Sequence, residues 1–212
     1  MKKYIKEFYI PILWQILFVI SCVIIHKDYF IYTNFIFYLG IIIFFARKGY
    51  FSIRELKANI VNGRKFWLPV VLTIFGLVLA YIVSYLPQML LHNLDDGMIG
   101  LKRDNWIKLI LFAISTIIFP SLAEELFYRK ALISFQSKKA LIASTTIGLF
   151  LFALEHSLSW YGILMVMVWG IPFSISYIKT KNIYISIMAH FIVDLLGNGS
   201  SVIITAIHFL NK

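Results

Sequence analysis

The stretch FWLPVVLTIFGLVLAYIVSYL, residues 66–86, carries no charged side chain from end to end. As a helix rising 1.5 Å per residue it is about 30 Å long, which is the hydrocarbon thickness of a bilayer. Similar apolar blocks lie on both sides of it, at Tyr9–Ile25, Tyr29–Ala46, Ile107–Ala123, Leu141–Leu154, Trp160–Ile178 and Ile183–Leu196. A last apolar stretch, Val202–Leu210, follows the breaker Gly197-Asn198-Gly199-Ser200-Ser201 and predicts either an eighth helix or a partial one. Hydrophobic residues make up 60% of the 212, charged residues only 14%, and mean hydropathy is +0.84. A soluble domain of this size needs far more polar surface. The expected fold class is all-α, a polytopic transmembrane bundle of seven to eight spans.

The net charge of +10 could point to a nucleic-acid partner, but the basic residues lie at the ends of the apolar blocks. With the N-terminus in the cytoplasm, the inside loops hold Lys2, Lys3 and Lys6; Arg47, Lys48, Arg54, Lys57, Arg64 and Lys65; Arg129, Lys130, Lys138 and Lys139; and Lys179 with Lys181. The outside holds Lys27, Lys102, Arg103, Lys108 and Lys212. This bias follows the positive-inside rule and predicts a cytoplasmic N-terminus and no nucleic-acid partner. Residues 49–65 read either as an amphipathic helix on anionic lipid or as a solvated loop. Cys22, the lone cysteine, reads as packing. The apolar run near the N-terminus is too long for a signal peptide and has no small-residue cleavage site after it.

Ionisable groups inside apolar blocks are costly and face a protein interior or a wet cavity. They gather at three places: Glu124, Glu125 and Arg129, assigned to the cytoplasmic end of the fourth span; Glu155 and His156, closing the fifth; and His190 and Asp194, in the seventh. The first three spans hold no internal acid, base or histidine. On a helix Glu125 and Arg129 are i and i+4 neighbours and can pair, while Glu124 points about 100° away. Two adjacent carboxylates in a low-dielectric site cannot both ionise cheaply, so the unpaired one suits a general base. Pro120, four residues before Glu124, should kink or open the helix. Taken alone the cluster reads equally well as an ion-pair network at the membrane boundary. A hairpin turning near residue 140 puts Glu124 and His156 at one depth, but the same arithmetic leaves His190 about 10 residues of rise away.

EExxxR on one helix, FxxxH on the next and HxxxD near the end resemble the three motifs of the CPBP family, which includes type II CAAX prenyl endopeptidases and bacteriocin-immunity or processing proteins. The matching residues are Glu124, Glu125, Arg129, Phe152, His156, His190 and Asp194, and the likeness covers roughly residues 107–198. The resemblance implies an intramembrane glutamic endopeptidase acting on a membrane-associated peptide or protein. Glu124 and His156 would activate a water, while His190 and Asp194 would steady the oxyanion. Arg129 would hold Glu125, and Phe152 would pack the site wall. The chain departs from the family pattern at Lys130, where glycine is common, at Asp194 in place of asparagine, and at Glu155, an extra acid that reads as a helix-cap or interfacial residue. Residues 1–106 would then be N-terminal spans with a cytoplasmic basic loop, and 107–212 the catalytic core of a single domain.

HExxH is absent and no cofactor is expected, though the same glutamates and histidines suit zinc. The composition resembles that of a low-GC bacterium, placing the protein in the bacterial cytoplasmic membrane with a precursor, signalling or bacteriocin-related peptide as substrate. Two other readings use the same residues. One is a non-catalytic bacteriocin-immunity protein. The other is a proton-coupled carrier, weakened by the lack of an inverted repeat.

Overall fold

The computed structural model describes residues 2–91 and 94–211, with side chains described from residue 8 onward. The expected inside charges Lys2, Lys3 and Lys6, and the outside charge Lys212, therefore lie outside the described side chains. Eight helices follow in order: α1 (Lys2–Ile24), α2 (Phe30–Arg47), α3 (Ile53–Val61), α4 (Arg64–Leu90), α5 (Trp106–Ala131), α6 (Lys138–Leu154), α7 (Trp160–Thr180) and α8 (Ile183–Leu210). Helices α2, α4, α5, α7 and α8 are long and apolar enough to cross a membrane. The apolar part of α1, Phe8–Ile24, and the 17-residue α6 are shorter. The molecule is an all-α membrane bundle.

Its polarity is inverted relative to a soluble protein. Apolar side chains such as Leu72, Phe75, Ile110, Ile147 and Ile203 face outward, while Gln15, Asn34, Thr73, Ser115, Glu124, Glu125, Arg129 and His190 are buried. Lipid gives no hydrophobic drive for helix association, so close packing and interhelical hydrogen bonds hold such a bundle. Gln15 of α1 donates to the Leu151 carbonyl of α6 at 2.5 Å, and Thr73 of α4 bonds Ser176 of α7 at 2.9 Å. On α6, Gly148 lets the backbones of α5 and α6 touch: a Cβ there would lie 2.8 Å from the Tyr128 carbonyl oxygen.

The connections sort to two ends. At one end lie the α2–α3 turn, α3 itself, the α5–α6 turn and the α7–α8 turn, tied by Lys130 to the Tyr50 carbonyl, Tyr184 to Glu55 and Asn182 to Asn59. At the other lie 25–29, 94–105 and 155–159, tied by Lys102 to Asp28 and by the Ser157 and Ser159 hydroxyls to the Asp96 and Asp95 carbonyls. The loops assigned to the cytoplasm all fall at the first end.

Two expectations need correction. Gly197–Ser201 does not break the last helix, which runs unbroken for 28 residues. In lipid every backbone group must bond within its own helix, so small residues that end a soluble helix do not end this one. The stretch also packs: Asn198 donates to the Thr116 carbonyl, and Arg103 donates to Ser201 and Thr205. Residues 49–65 are not one amphipathic helix. Only Ile53–Val61 form α3, capped by Ser52, and Gly63 in the left-handed region (φ 58°) turns the chain directly into α4.

Candidate active site

Helix α5 leaves regular α geometry twice, becoming π-helical over Ile114–Ile118 and again over Glu125–Ala131. Pro120, just beyond the first widened turn, has no amide hydrogen to offer, and such interruptions commonly re-aim functional side chains. Glu124 and Glu125 are both buried. Arg129 Nη1 lies 3.3 Å from Glu125 Oε1, with both side chains shielded from solvent. Its guanidinium is sandwiched between Phe152 and Phe173, 4.5 and 5.2 Å from the ring centroids, and Nη2 donates to the Gly170 carbonyl at 3.4 Å. A Cβ at Gly170 would come within 3.2 Å of that nitrogen, so the glycine makes room for the cation. Phe152 thus covers Arg129 as well as walling the site.

Glu124 faces the other way. Its Oε1 accepts a 2.5 Å hydrogen bond from Tyr38 Oη of α2 and lies 3.9 Å from His156 Nε2. The opposite nitrogen of that ring, Nδ1, is 3.0 Å from the Phe152 carbonyl. A carbonyl can only accept, so Nδ1 carries the hydrogen, and in the neutral ring Nε2 is the nitrogen with the lone pair on the side of Glu124. A water about 2.8 Å from both Glu124 Oε1 and Nε2 would subtend roughly 90° between them, a geometry that lets one molecule bond both.

His190 joins the two glutamates. Its Nδ1 is 2.9 Å from Glu125 Oε1, while Nε2 lies 3.7 Å from Glu124 Oε2 and 3.4 Å from Asp194 Oδ2. The ring stacks on Phe173 at 4.5 Å, which fixes its plane. Glu124 Oε2 and Asp194 Oδ2 receive no hydrogen bond within the described protein.

His156, His190 and Asp194 border a cavity of about 220 Å³, lined also by Asn34, Tyr38, Met98, Pro120 and Glu155, while Glu124 lies behind this lining and meets it through Tyr38 and His156. It is roomy enough for several waters. A larger groove of about 610 Å³ between α4 and α7, lined by Leu72, Gly76 and Pro172 among others, contains none of the clustered acids or histidines.

The seven motif residues therefore converge, and two expectations about their placement change. The first concerns depth: Phe152 abuts Gly170, three residues before the Phe173 that stacks on His190, while His156 lies one turn past Phe152 where α6 has already ended. Both imidazoles nonetheless reach the Glu124 carboxylate, His156 Nε2 at 3.9 Å and His190 Nε2 at 3.7 Å, so the expected ten-residue separation is closed at the side chains. The second concerns access, because the cavity meets residues 98–101 and 155–156, at the end opposite the basic loops.

Glu155 takes the C-cap position of α6, as the helix-cap reading expected, but its side chain is not interfacial. It is buried, accepts a hydrogen bond from Tyr128 and lies 3.5 Å from Tyr38 Oη. Glu124, Glu155 and His156 each present one ligand atom within 4.8 Å of the others, a carboxylate–imidazole set able to hold a divalent metal. Tyr38, Tyr128, Gly170 and Phe173 were also not foreseen. Tyrosine and phenylalanine are common in spans for packing alone, so only Glu155, an acid at the end of an apolar block, gave any signal.

A bundle of apolar helices closing over buried glutamates, histidines and an arginine defines a multi-pass membrane protein with a polar internal cavity. Residues 106–196 match the family model described as Type II CAAX prenyl endopeptidase Rce1-like, and over this segment the chain is similar to that family. The family is one of proteases, and the match contains all seven motif residues, from Glu124 to Asp194. No curated protein and no solved structure matches the chain.

Proposed function

We propose that the protein is an intramembrane endopeptidase in which Glu124 and His156 activate a water to hydrolyse a peptide bond. The observation that supports this best is the 3.9 Å gap between Glu124 Oε1 and His156 Nε2, the right size for a shared water beside the cavity. In this mechanism Glu124 takes one proton from the water and the resulting hydroxide attacks the scissile carbonyl carbon. The tetrahedral oxyanion is met by His190, which donates from Nε2 when doubly protonated while Glu125 orients Nδ1. Asp194 Oδ2, 3.4 Å from the same Nε2 but without a hydrogen bond to it, supplies the cationic ring with a counter-charge. The proton held by Glu124 then passes to the departing amine as the C–N bond breaks, giving a carboxylic acid and an amine. Arg129 is a positioning residue, keeping Glu125 in place. A metal held by Glu124, Glu155 and His156 would supply Lewis acidity to the same water.

The substrate is an apolar peptide or the membrane-associated segment of a protein in a bacterial cytoplasmic membrane. Under the positive-inside orientation it reaches the site from the non-cytoplasmic face. The test compares purified wild type, Glu124→Gln and His156→Ala on quenched-fluorescent apolar peptides, with His208→Ala, exposed near the end of α8, as control. Cleavage by wild type and the control alone supports the reading; equal cleavage by Glu124→Gln overturns it.

A further inference from the structure

In an otherwise helical protein, the segment just before α5 pairs with the residues that carry His156. Met98 and Ser157 form an antiparallel bridge, in which Ile99 N donates to the His156 carbonyl at 2.8 Å and Leu158 N to the Gly97 carbonyl at 3.3 Å. Strand geometry turns successive residues to opposite sides, so Gly97 and Ile99 face 156–158 while Met98 and Gly100 present their backbone groups the other way. The Met98 amide is taken by Asp96 at 3.2 Å. The Met98 carbonyl and the Gly100 N–H and C=O make no hydrogen bond among the described residues.

Proteins normally guard such an edge with lysine, proline or a covering element. Here Lys102 is engaged with Asp28, and Arg103 with Ser201, Thr205 and the Phe112 ring, while Lys27 lines the groove beside the edge. The edge borders a groove of about 710 Å³ lined also by Cys22, Ile25, His26 and Phe30. Met98 and Ile99 line both this groove and the cavity, so the strand is a wall common to the two.

We infer that the substrate docks as an extended strand on the free edge of residues 98–100, its side chains in the adjoining groove and its continuation reaching the cavity that His156 and Glu155 line. This rests on the hydrolase reading and specifies how its substrate is held. A helical substrate keeps its backbone bonded internally, so cleavage requires unwinding, and in a membrane the freed amides and carbonyls need new partners. A bare strand edge provides them, with main-chain bonds giving affinity and alternate pockets giving selectivity.

The test uses a panel of ten-residue fluorescent apolar peptides and the Glu124→Gln protein in nanodiscs, so that binding is read without turnover. The tightest binder is resynthesised with one N-methylated amide at each position in turn. Strand docking predicts that N-methylation weakens binding about fivefold at alternate positions on one side of the bond that wild type cleaves, and little between them, since one hydrogen bond is worth ~1 kcal/mol. A uniform or aperiodic loss, or no peptide binding at all, overturns the docking. The hydrolase reading fails separately, if Glu124→Gln cleaves the parent peptide as fast as wild type does.

Discussion

Arg129→Met should destabilise the bundle by up to about 3–5 kcal/mol, because it removes the arginine from buried Glu125 and leaves His190 as the remaining partner of that carboxylate. The separation of 3.3 Å between Arg129 Nη1 and Glu125 Oε1 corresponds to roughly 5 kcal/mol of gross Coulomb attraction at an effective dielectric constant near 20. The cation–π contacts with Phe152 and Phe173 add about 0.5–2 kcal/mol that methionine only partly replaces. Thermal unfolding of purified protein in one detergent, followed by tryptophan fluorescence, should show the melting temperature lowered by up to roughly 6–20 °C for a chain of this length. The decisive comparison is Glu125→Gln combined with Arg129→Met. Removing both charges takes away the carboxylate that lost its arginine, so the double variant should regain most of the loss. The reasoning is refuted if Arg129→Met melts with wild type, or if the double variant is no more stable than Arg129→Met alone.

Three further outcomes follow from particular contacts. Tyr38→Phe removes the 2.5 Å hydrogen bond that orients Glu124, so kcat/KM should fall about 10- to 100-fold with an unchanged melting temperature; unaltered kinetics would deny α2 a part in the site. Gly148→Ala drives a Cβ against the Tyr128 carbonyl and should cost about 1–3 kcal/mol, whereas Gly197→Ala, with nothing within 4 Å, should be neutral or stabilising by up to ~1 kcal/mol; equal melting shifts would contradict the close approach of α5 and α6. In a Cys22→Ser background, Gly100→Cys should react with a membrane-impermeant maleimide on intact cells, and Ala58→Cys, exposed on α3, only after permeabilisation. The reverse pattern would invert the orientation.

The bundle could be read from its apolar blocks because lipid imposes a length and a charge rule that short sequence windows reveal. Its end could not. Gly197-Asn198-Gly199 reads as a breaker by the habits of water-soluble helices, but a backbone in hydrocarbon has no other partner than its own helix. The site divides in the same way. Glu125 with Arg129, and His190 with Asp194, were visible because helical spacing alone aligns i with i+4. The convergence of Glu124, His156 and His190 depends on how α6 ends and α7 restarts, and the last turn of a helix is where sequence is least decisive. Tyr38 is invisible by composition: it lies on a span without one charged interior residue, and only the packing of α2 on α5 makes its hydroxyl a partner of Glu124.

The most direct measurement is isotope incorporation during peptide cleavage in H₂¹⁸O, read by mass spectrometry of the newly formed carboxyl terminus. Wild type should place one ¹⁸O atom there in a single turnover, and Glu124→Gln, which keeps the shape of the site but cannot accept the proton, should form less than about one-hundredth of that product in the same time. Labelled product appearing at the wild-type rate with Glu124→Gln would contradict the account.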